Sequence, residues 1–224
     1  STEIAAKANS MPEVETAAPI LRASAIVNTM DDSLAIQLQG IDPTSPLHDP
    51  VREGIIEGQF LTADDRNGVV IGKQLADELN LQAGRDMSLS IINSSGQPDE
   101  ALFTIRGLFD TGVDSFDQNS VFMPIARAQA FTGVGERASA VIVLLNDAND
   151  ADTVAAALVT PGAVTLTSDE MNEVLIQAFN TGTNFYIIMY AIVMMVVAVV
   201  IANTLLMSVF ERIRELGILA SLGM

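Results

Sequence analysis

One stretch limits this chain more than any other: "FYIIMYAIVMMVVAVVIANTLLMSV", residues 185–209, a run of 25 without a charge. As a helix rising about 1.5 Å per residue it reaches about 37 Å, enough to cross a hydrocarbon layer of about 30 Å with some tilt. Thirteen of its residues are Phe, Ile, Leu or Val. At about 0.3–0.6 kcal/mol each they favour insertion by roughly 4–8 kcal/mol, before the polar residues are set against them. Helices buried in globular cores rarely run so long without a charge, so these residues are expected to cross a membrane in contact with lipid.

The flanks assign a direction. Arg212 and Arg214 lie within five residues of the end of the run, whereas the nearest basic residue before it is Arg137. Lys and Arg gather on the cytoplasmic side of a span, so the C-terminal end is expected in the cytoplasm and residues 1–184 outside it. The chain starts at Ser1 without a leader pattern, so an upstream span or a cleaved signal is expected to have carried those residues across. Within the run, Ala191, Ala198 and Ala202 are seven and four residues apart and share a helical face. Small side chains let a second helix come close, and Asn203 beside them can hydrogen-bond across.

Residues 1–184 are of another kind. Glu211, Arg212, Arg214 and Glu215 are the only charged residues after 184, which leaves 9 basic and 26 acidic side chains before it, net −17. That field repels nucleic acid and anionic headgroups alike, and no nucleic-acid partner is expected. The chain has no cysteine, hence no disulfide framework, thiolate nucleophile or Cys-held metal, which leaves the compartment open. Apolar, β-branched runs recur at "PILRASAIV", "LAIQLQGI", "GVVIG", "MSLSII", "ALFTIRGLF", "SVFMPI" and "ASAVIVLL" and read as strands. Helical patterns lie between them. "GKQLADELNL" sets Ile71, Leu75 and Leu79 on one side, with Gly84 as a stop. "PIARAQAF" starts at Pro124 and "DADTVAAALV" is ended by Pro161. In the last of them, Thr167 and Glu170 fit a capping box, and Met171, Val174, Leu175, Ala178 and Phe179 form an apolar stripe. Only "NTGTN" separates that helix from the membrane run, with Gly182 the weak point of any continuous helix.

Catalytic patterns are weak. His48 is the only histidine and sits in "DPTSPLHDP", a proline-bracketed loop where a solvated side chain is expected. "GVVIGKQ" is one residue short of a phosphate loop and has Gln74 where Ser or Thr would hold magnesium. "DTGVDSFD" (Asp110, Asp114, Asp117) and "NDANDAD" (Asp147, Asp150, Asp152) do not match the spacing, with central glycine and terminal glutamate, of a calcium loop and read as solvated turns. No catalytic residue, metal or cofactor is expected.

The close of the chain, "ANTLLMSVFERIRELGILASLGM", resembles the end of the second transmembrane helix and the following cytoplasmic segment of FtsX-like ABC-transporter permeases. Upstream, "MPEVETAAPI" resembles the start of the extracytoplasmic domain of MacB-type exporters and lipoprotein-releasing permeases. "LQGIDP", "GVVIGKQLADELNLQAGRDMSL" and "FTIRGLF" are similar to its inner strands and first internal helix. The resemblance implies an α+β extracytoplasmic domain of two interleaved lobes over 1–184, a transmembrane helix over 185–209 and a cytoplasmic coupling segment over 210–224, in a bacterial or archaeal cell membrane. It further implies a non-catalytic permease that pairs with a second protomer and with an ABC ATPase on a partner chain or domain. ATP-driven closure would move the outer domain to export or extract a substrate, a mode of work called mechanotransmission.

For the coupling segment, Phe210, Ile213, Gly217 and Ala220 line one side of a helix, while Arg212 with Glu215 and Glu211 with Arg214 stand at i, i+3 spacing. The resemblance implies that Phe210, Glu211, Arg212, Arg214, Glu215 and Gly217 dock on the ATPase. Some lipoprotein-releasing relatives recruit a carrier protein through a protruding loop. The corresponding hairpin here, "NSSGQPDEA", is short, with one proline and no hydrophobic tip. The competing expectations are a membrane-tethered sensor and an FtsX-like regulator of a cell-wall hydrolase.

Overall fold

A computed structural model describes residues 2–29, 32–160 and 163–221, without the side chains at 169, 171–185, 187–188, 211 and 214–221. The chain divides into two compact units, Ser1–Thr165 and Leu166–Met224.

The first unit is organised by one long strand. β1 (Val14–Asn28) is 15 residues long, more than one neighbour needs, and it divides its length between partners. Its second half pairs antiparallel with β2 (Ser33–Ile41), from Leu21 opposite Gly40 to Asn28 opposite Ser33. β2 runs parallel to β7 (Ser120–Pro124), and β7 antiparallel to β4 (Gly68–Gly72). β4 is parallel to β6 (Pro98–Phe109), which forms a hairpin with β5 (Asp86–Ile92). β5 returns to β1 at Ile26, Val27 and Asn28, so six strands pair in a closed ring. Closure gives each of those strands a partner on both sides over part of its length. The short β3 (Ile55–Gly58), which the strand pattern of the sequence does not reveal, adds to β6.

Side chains alternate accordingly. Met87, Leu89 and Ile91 of β5 are buried, as are Phe103 and Ile105 of β6. They share one cluster with Leu75 and Leu79 of the α3 region (helix Lys73–Glu78) and with Ala128 and Phe131 of α5 (Ile125–Thr132). Phe103 meets Phe131 edge-on at 5.2 Å. β4 and β7 are buried on both faces, which is why "GVVIG" and "SVFMP" show no alternation. Val69 and Ile71 face the first cluster, whereas Val70 joins Phe109, Phe122, Ile20, Ile41 and Leu61 in a second.

The first half of β1 leaves the ring and pairs with β8 (Ala140–Leu145). With α1 (Thr2–Asn9) and α6 (Ala151–Ala157) it forms a third cluster, around Ala8, Val14, Ala17, Val154 and Leu158. One lobe is thus built from the first and last segments of the unit and the other from its middle, with β1 running through both. This is the interleaving expected of an α+β outer domain.

Some local expectations change. Gly84 (φ +82) belongs to the turn before β5, and α3 stops earlier, at Glu78, with Asn80 just beyond its C-cap Leu79. Asn80 takes φ 53 while Leu81 N–H reaches Ala76 O at 2.8 Å and Asn80 N–H reaches Asp77 O at 3.5 Å, a left-handed cap that asparagine tolerates. "DPTSPLHDP" is not a free loop. Pro46–His48 form a 3-10 turn and Asp49–Glu53 helix α2, each with a proline in its first turn, where a missing N–H costs nothing. α4 (Asp114–Asn119) falls in the segment read as a solvated turn.

The second unit is one helix, α7 (Ser168–Ser221), of 54 residues. The expected capping box is formed: Glu170 N–H donates to Thr167 Oγ1 at 3.3 Å, and Thr167 N–H to Glu170 Oε2 at 3.0 Å. The helix passes unbroken through Gly182, joining what reads as two helices in the sequence. One glycine costs a helix about 1 kcal/mol, less than the long apolar flanks supply. The stripe from Met171 to Phe179 falls on side chains outside those described.

Candidate functional site

Within α7, Met189–Phe210 is the stretch long and apolar enough to cross a membrane: 22 residues, mean hydropathy 2.6, none of it buried by the chain itself. Tyr186 and Tyr190, one turn apart, are exposed at one end of it, and Arg212 is exposed at the other. Tyr190 and Arg212 are about 33 Å apart along the axis, close to a hydrocarbon thickness. Tyrosine rings favour headgroup depth and arginine favours water, so both ends carry side chains suited to an interface.

Ala191, Ala198, Ala202 and Asn203 all lie exposed on this helix, and their spacing keeps the three alanines within about 40° of one another. Thr204 Oγ1 donates back to Val200 O at 3.0 Å and satisfies itself within the helix. No such bond is made by the Asn203 amide among the described residues. In the segment after the span, Phe210 and Ile213 are 66% and 58% exposed, three residues apart. The side chains of Glu211, Arg214, Glu215 and Gly217, with their expected ion pairs, lie outside the described residues, as does the "LGM" at 222–224.

In the outer unit, the residues singled out by the sequence are built into the fold. His48 is 7% exposed, not solvated, with its ring 6.4 Å from Phe122. Arg52 holds the surrounding turn: it bonds Asp49 and donates to Pro43 O at 2.6 Å and Ser45 O at 3.3 Å. Burial lowers the His48 pKa, against the attraction of Asp42 and with help from Arg52. A neutral ring packed on an aromatic core is the outcome. Asp117 is likewise fully buried, not solvated. It accepts from Thr111 N–H at 3.0 Å and Thr111 Oγ1 at 2.7 Å, which fixes the turn leading into α4.

The segment similar to a phosphate loop is closed by the same turn. Gly72 lies so near Asp117 that a Cβ there would meet the Asp117 carbonyl at 1.8 Å. Lys73 faces Asp110 at 3.7 Å and Gln74 Nε2 bonds Asp114 at 2.8 Å. Two carboxylates therefore stand where a phosphate would have to enter. The hairpin at 93–97 does not protrude as a free tip. Ser94 donates through N–H to Thr132 O at 2.9 Å and through Oγ to Gly133 O at 2.5 Å, which ties it to the end of α5.

Sequence reasoning missed the ion pair of Asp65 with Arg106. Asp65 Oδ1 accepts from Arg106 Nε at 3.0 Å and Nη2 at 2.5 Å, and Oδ2 accepts from Thr62 N–H at 2.9 Å. Burial raises the Asp65 pKa, but the hydrogen bonds from Thr62 and Arg106 outweigh it and hold the carboxyl below its usual 3.8. The residues are 41 apart in sequence, and no local pattern marks such a partnership.

The sequence profile of the MacB-like periplasmic core domain matches residues 1–160. Among solved structures, the periplasmic region of MacB from Actinobacillus actinomycetemcomitans superposes with a TM-score of 0.55 at 17% identity, covering 78% of this chain and 81% of that one. The extracellular domain of the noncanonic ABC-type transporter YknZ from Gram-positive bacteria gives 0.51 at 17% identity, covering 68% and 76%. At such identities the likeness is one of fold, and it agrees with the family match. The chain belongs to the MacB-like periplasmic core domain family of ABC-transporter permeases.

Proposed function

We propose that this chain is the outer domain and second transmembrane helix of a permease that transmits force from a cytoplasmic ABC ATPase to the outside of the cell. Residues 1–184 lie outside, the helix crosses at Met189–Phe210, and residues 210–224 dock on the ATPase through Phe210, Glu211, Arg212, Arg214, Glu215 and Gly217. Support for the orientation comes from the two arginines after the span and the absence of any basic residue between 138 and 184. The docking role rests on the resemblance of 202–224 to FtsX-like permeases, since the family match ends at residue 160.

The observation that carries this reading is the continuity of α7. Its 54 residues extend about 80 Å, and only Leu166 and Thr167 separate it from the end of the first compact unit. A helix without a break resists bending, so a displacement at residues 210–221 is delivered to the outer end rather than absorbed at Gly182. Ala191, Ala198 and Ala202 are the face for a neighbouring helix of the same or a second protomer, where Asn203 finds its hydrogen-bond partner. The tethered hairpin at 93–97 argues that any carrier or adaptor protein engages another part of the outer domain.

Deleting residues 210–224 from the complete permease tests the docking role. Co-purification with the ATPase and stimulated ATP turnover are expected to be lost; undiminished association would refute it. Placing two more glycines beside Gly182 tests the transmission: ATPase binding should survive while export fails.

A further inference from the structure

Among the nine basic residues of the outer unit, Arg52, Lys73 and Arg106 are ion-paired. Lys7 and Arg137 are held on backbone carbonyls. Arg127 is placed differently. Its guanidinium lies 5.0 Å from the Phe103 ring centre and 5.8 Å from that of Phe131, and its Nε is buried without an acceptor. The aromatic faces stabilise the cation and fix its position, yet they leave N–H donors unpaired, which is costly away from water. Arg127 opens on a cleft of about 690 Å³ within the same unit. Asp64, Asp65, Arg66 and Asn67 line it from the segment before β4, and Ala126, Arg127 and Ala130 from α5. Among the described residues Arg66 makes no ion pair or hydrogen bond, and the Asp65 carboxylate in the lining is already paired with Arg106.

We infer that this cleft binds the oxyanion of a small amphipathic molecule, a carboxylate or phosphate bridged by Arg66 and Arg127, with its apolar body against Ala126 and Ala130. Two guanidiniums suit such a group because their planar donor forks match its paired oxygens. A preset Arg127 loses little side-chain entropy on binding. The cleft volume fits a small ligand. Asp64 in the same lining repels a second negative charge on the ligand, so singly charged groups are selected over polyanions. Arg127, held on its aromatic faces with a buried donor unpaired, is the fixed half of the site, and the exposed Arg66 in the same lining supplies the second guanidinium.

The test uses the whole chain in detergent micelles, with the arginine Nε–H groups followed by NMR. The probes are inorganic phosphate, butyrate and dihexanoyl phosphatidic acid, each against chloride at matched ionic strength. Saturable shifts are expected at Arg127 and Arg66, while exposed Arg22 responds to ionic strength alone. Butyrate and phosphate compare the two head groups, and the short-chain lipid against phosphate reads the apolar wall. Arg66→Gln, a surface change that leaves the aromatic stack intact, should weaken binding at least tenfold, and Arg22→Gln should leave it unchanged. Arg127→Lys keeps the charge but loses the fork and should weaken it as well. The inference is overturned if no probe saturates, or if Arg66→Gln binds as tightly as the unaltered chain.

Discussion

β4 and the middle of α7 are built from the same side chains and meet opposite fates. Val69, Val70 and Ile71 are each 0% exposed, whereas Val196 and Val199 are 58% and 64% exposed. Propensity does not separate them. A strand of five residues is short enough for its own chain to cover on both faces, with Phe109 and Phe122 on one side and Leu75 and Phe131 on the other. The 22-residue apolar core of α7 is not buried by the chain itself, and on the proposed reading its cover comes from lipid or from another helix. Burying each of those valines or isoleucines is worth about 1.5–3 kcal/mol. One region is therefore stabilised by folding and the other by its surroundings.

That contrast can be broken experimentally. The largest effect is expected in the self-covered core: Phe109→Ala should destabilise the outer unit by about 3–5 kcal/mol in denaturant titration, through lost burial and the cavity left behind. Helix α7 should remain in the membrane fraction. Val197→Arg should do the reverse. A cost of about 2.5–3.5 kcal/mol at mid-span should lower the alkali-resistant membrane fraction while the outer unit unfolds at its usual denaturant concentration. If either change affects both regions equally, the two are not stabilised separately. Thr167→Ala should cost about 1 kcal/mol locally, seen as faster hydrogen exchange at the Glu170 amide.

The smallest effect sharpens the comparison within the outer unit. The folded pKa of His48 lies below 6.5, so the unfolded chain takes up a proton first as pH falls. The stability from neutral His48 is present above pH 6.5 and lost as pH drops through the folded value. Melting temperature should fall between pH 7.5 and 5.5, and less so in His48→Leu. Asp65 has the same sign in a lower window, below its usual 3.8.

What was legible in the sequence follows the range of the interactions. Seven strands stand out because β-branched runs report on local pleating. Ile71, Leu75 and Leu79 share a side and do meet in one cluster, although Ile71 belongs to a strand. The Thr167–Glu170 capping box is a four-residue affair, and both of its hydrogen bonds form. By contrast, His48 and Asp117 are buried by packing that no neighbouring residue encodes: His48 lies against Phe122, and Asp117 lies under Gly72. Of the candidate site, the apolar span and its arginines were plain from composition alone. The cleft was not, because Arg66 and Arg127, 61 residues apart in sequence, come to line one cavity only in the folded unit.

The most direct test of the account is which side of the membrane each part of the chain occupies. The chain has no cysteine, so single cysteines at Ser95, Val197 and Ile213 act as unambiguous probes. Intact cells carrying the complete permease are treated with a membrane-impermeant maleimide. Ser95→Cys should be labelled from outside, Ile213→Cys only after the cells are permeabilised, and Val197→Cys only in denaturing detergent. Labelling of Ile213→Cys in intact cells, with Ser95→Cys protected, would contradict it.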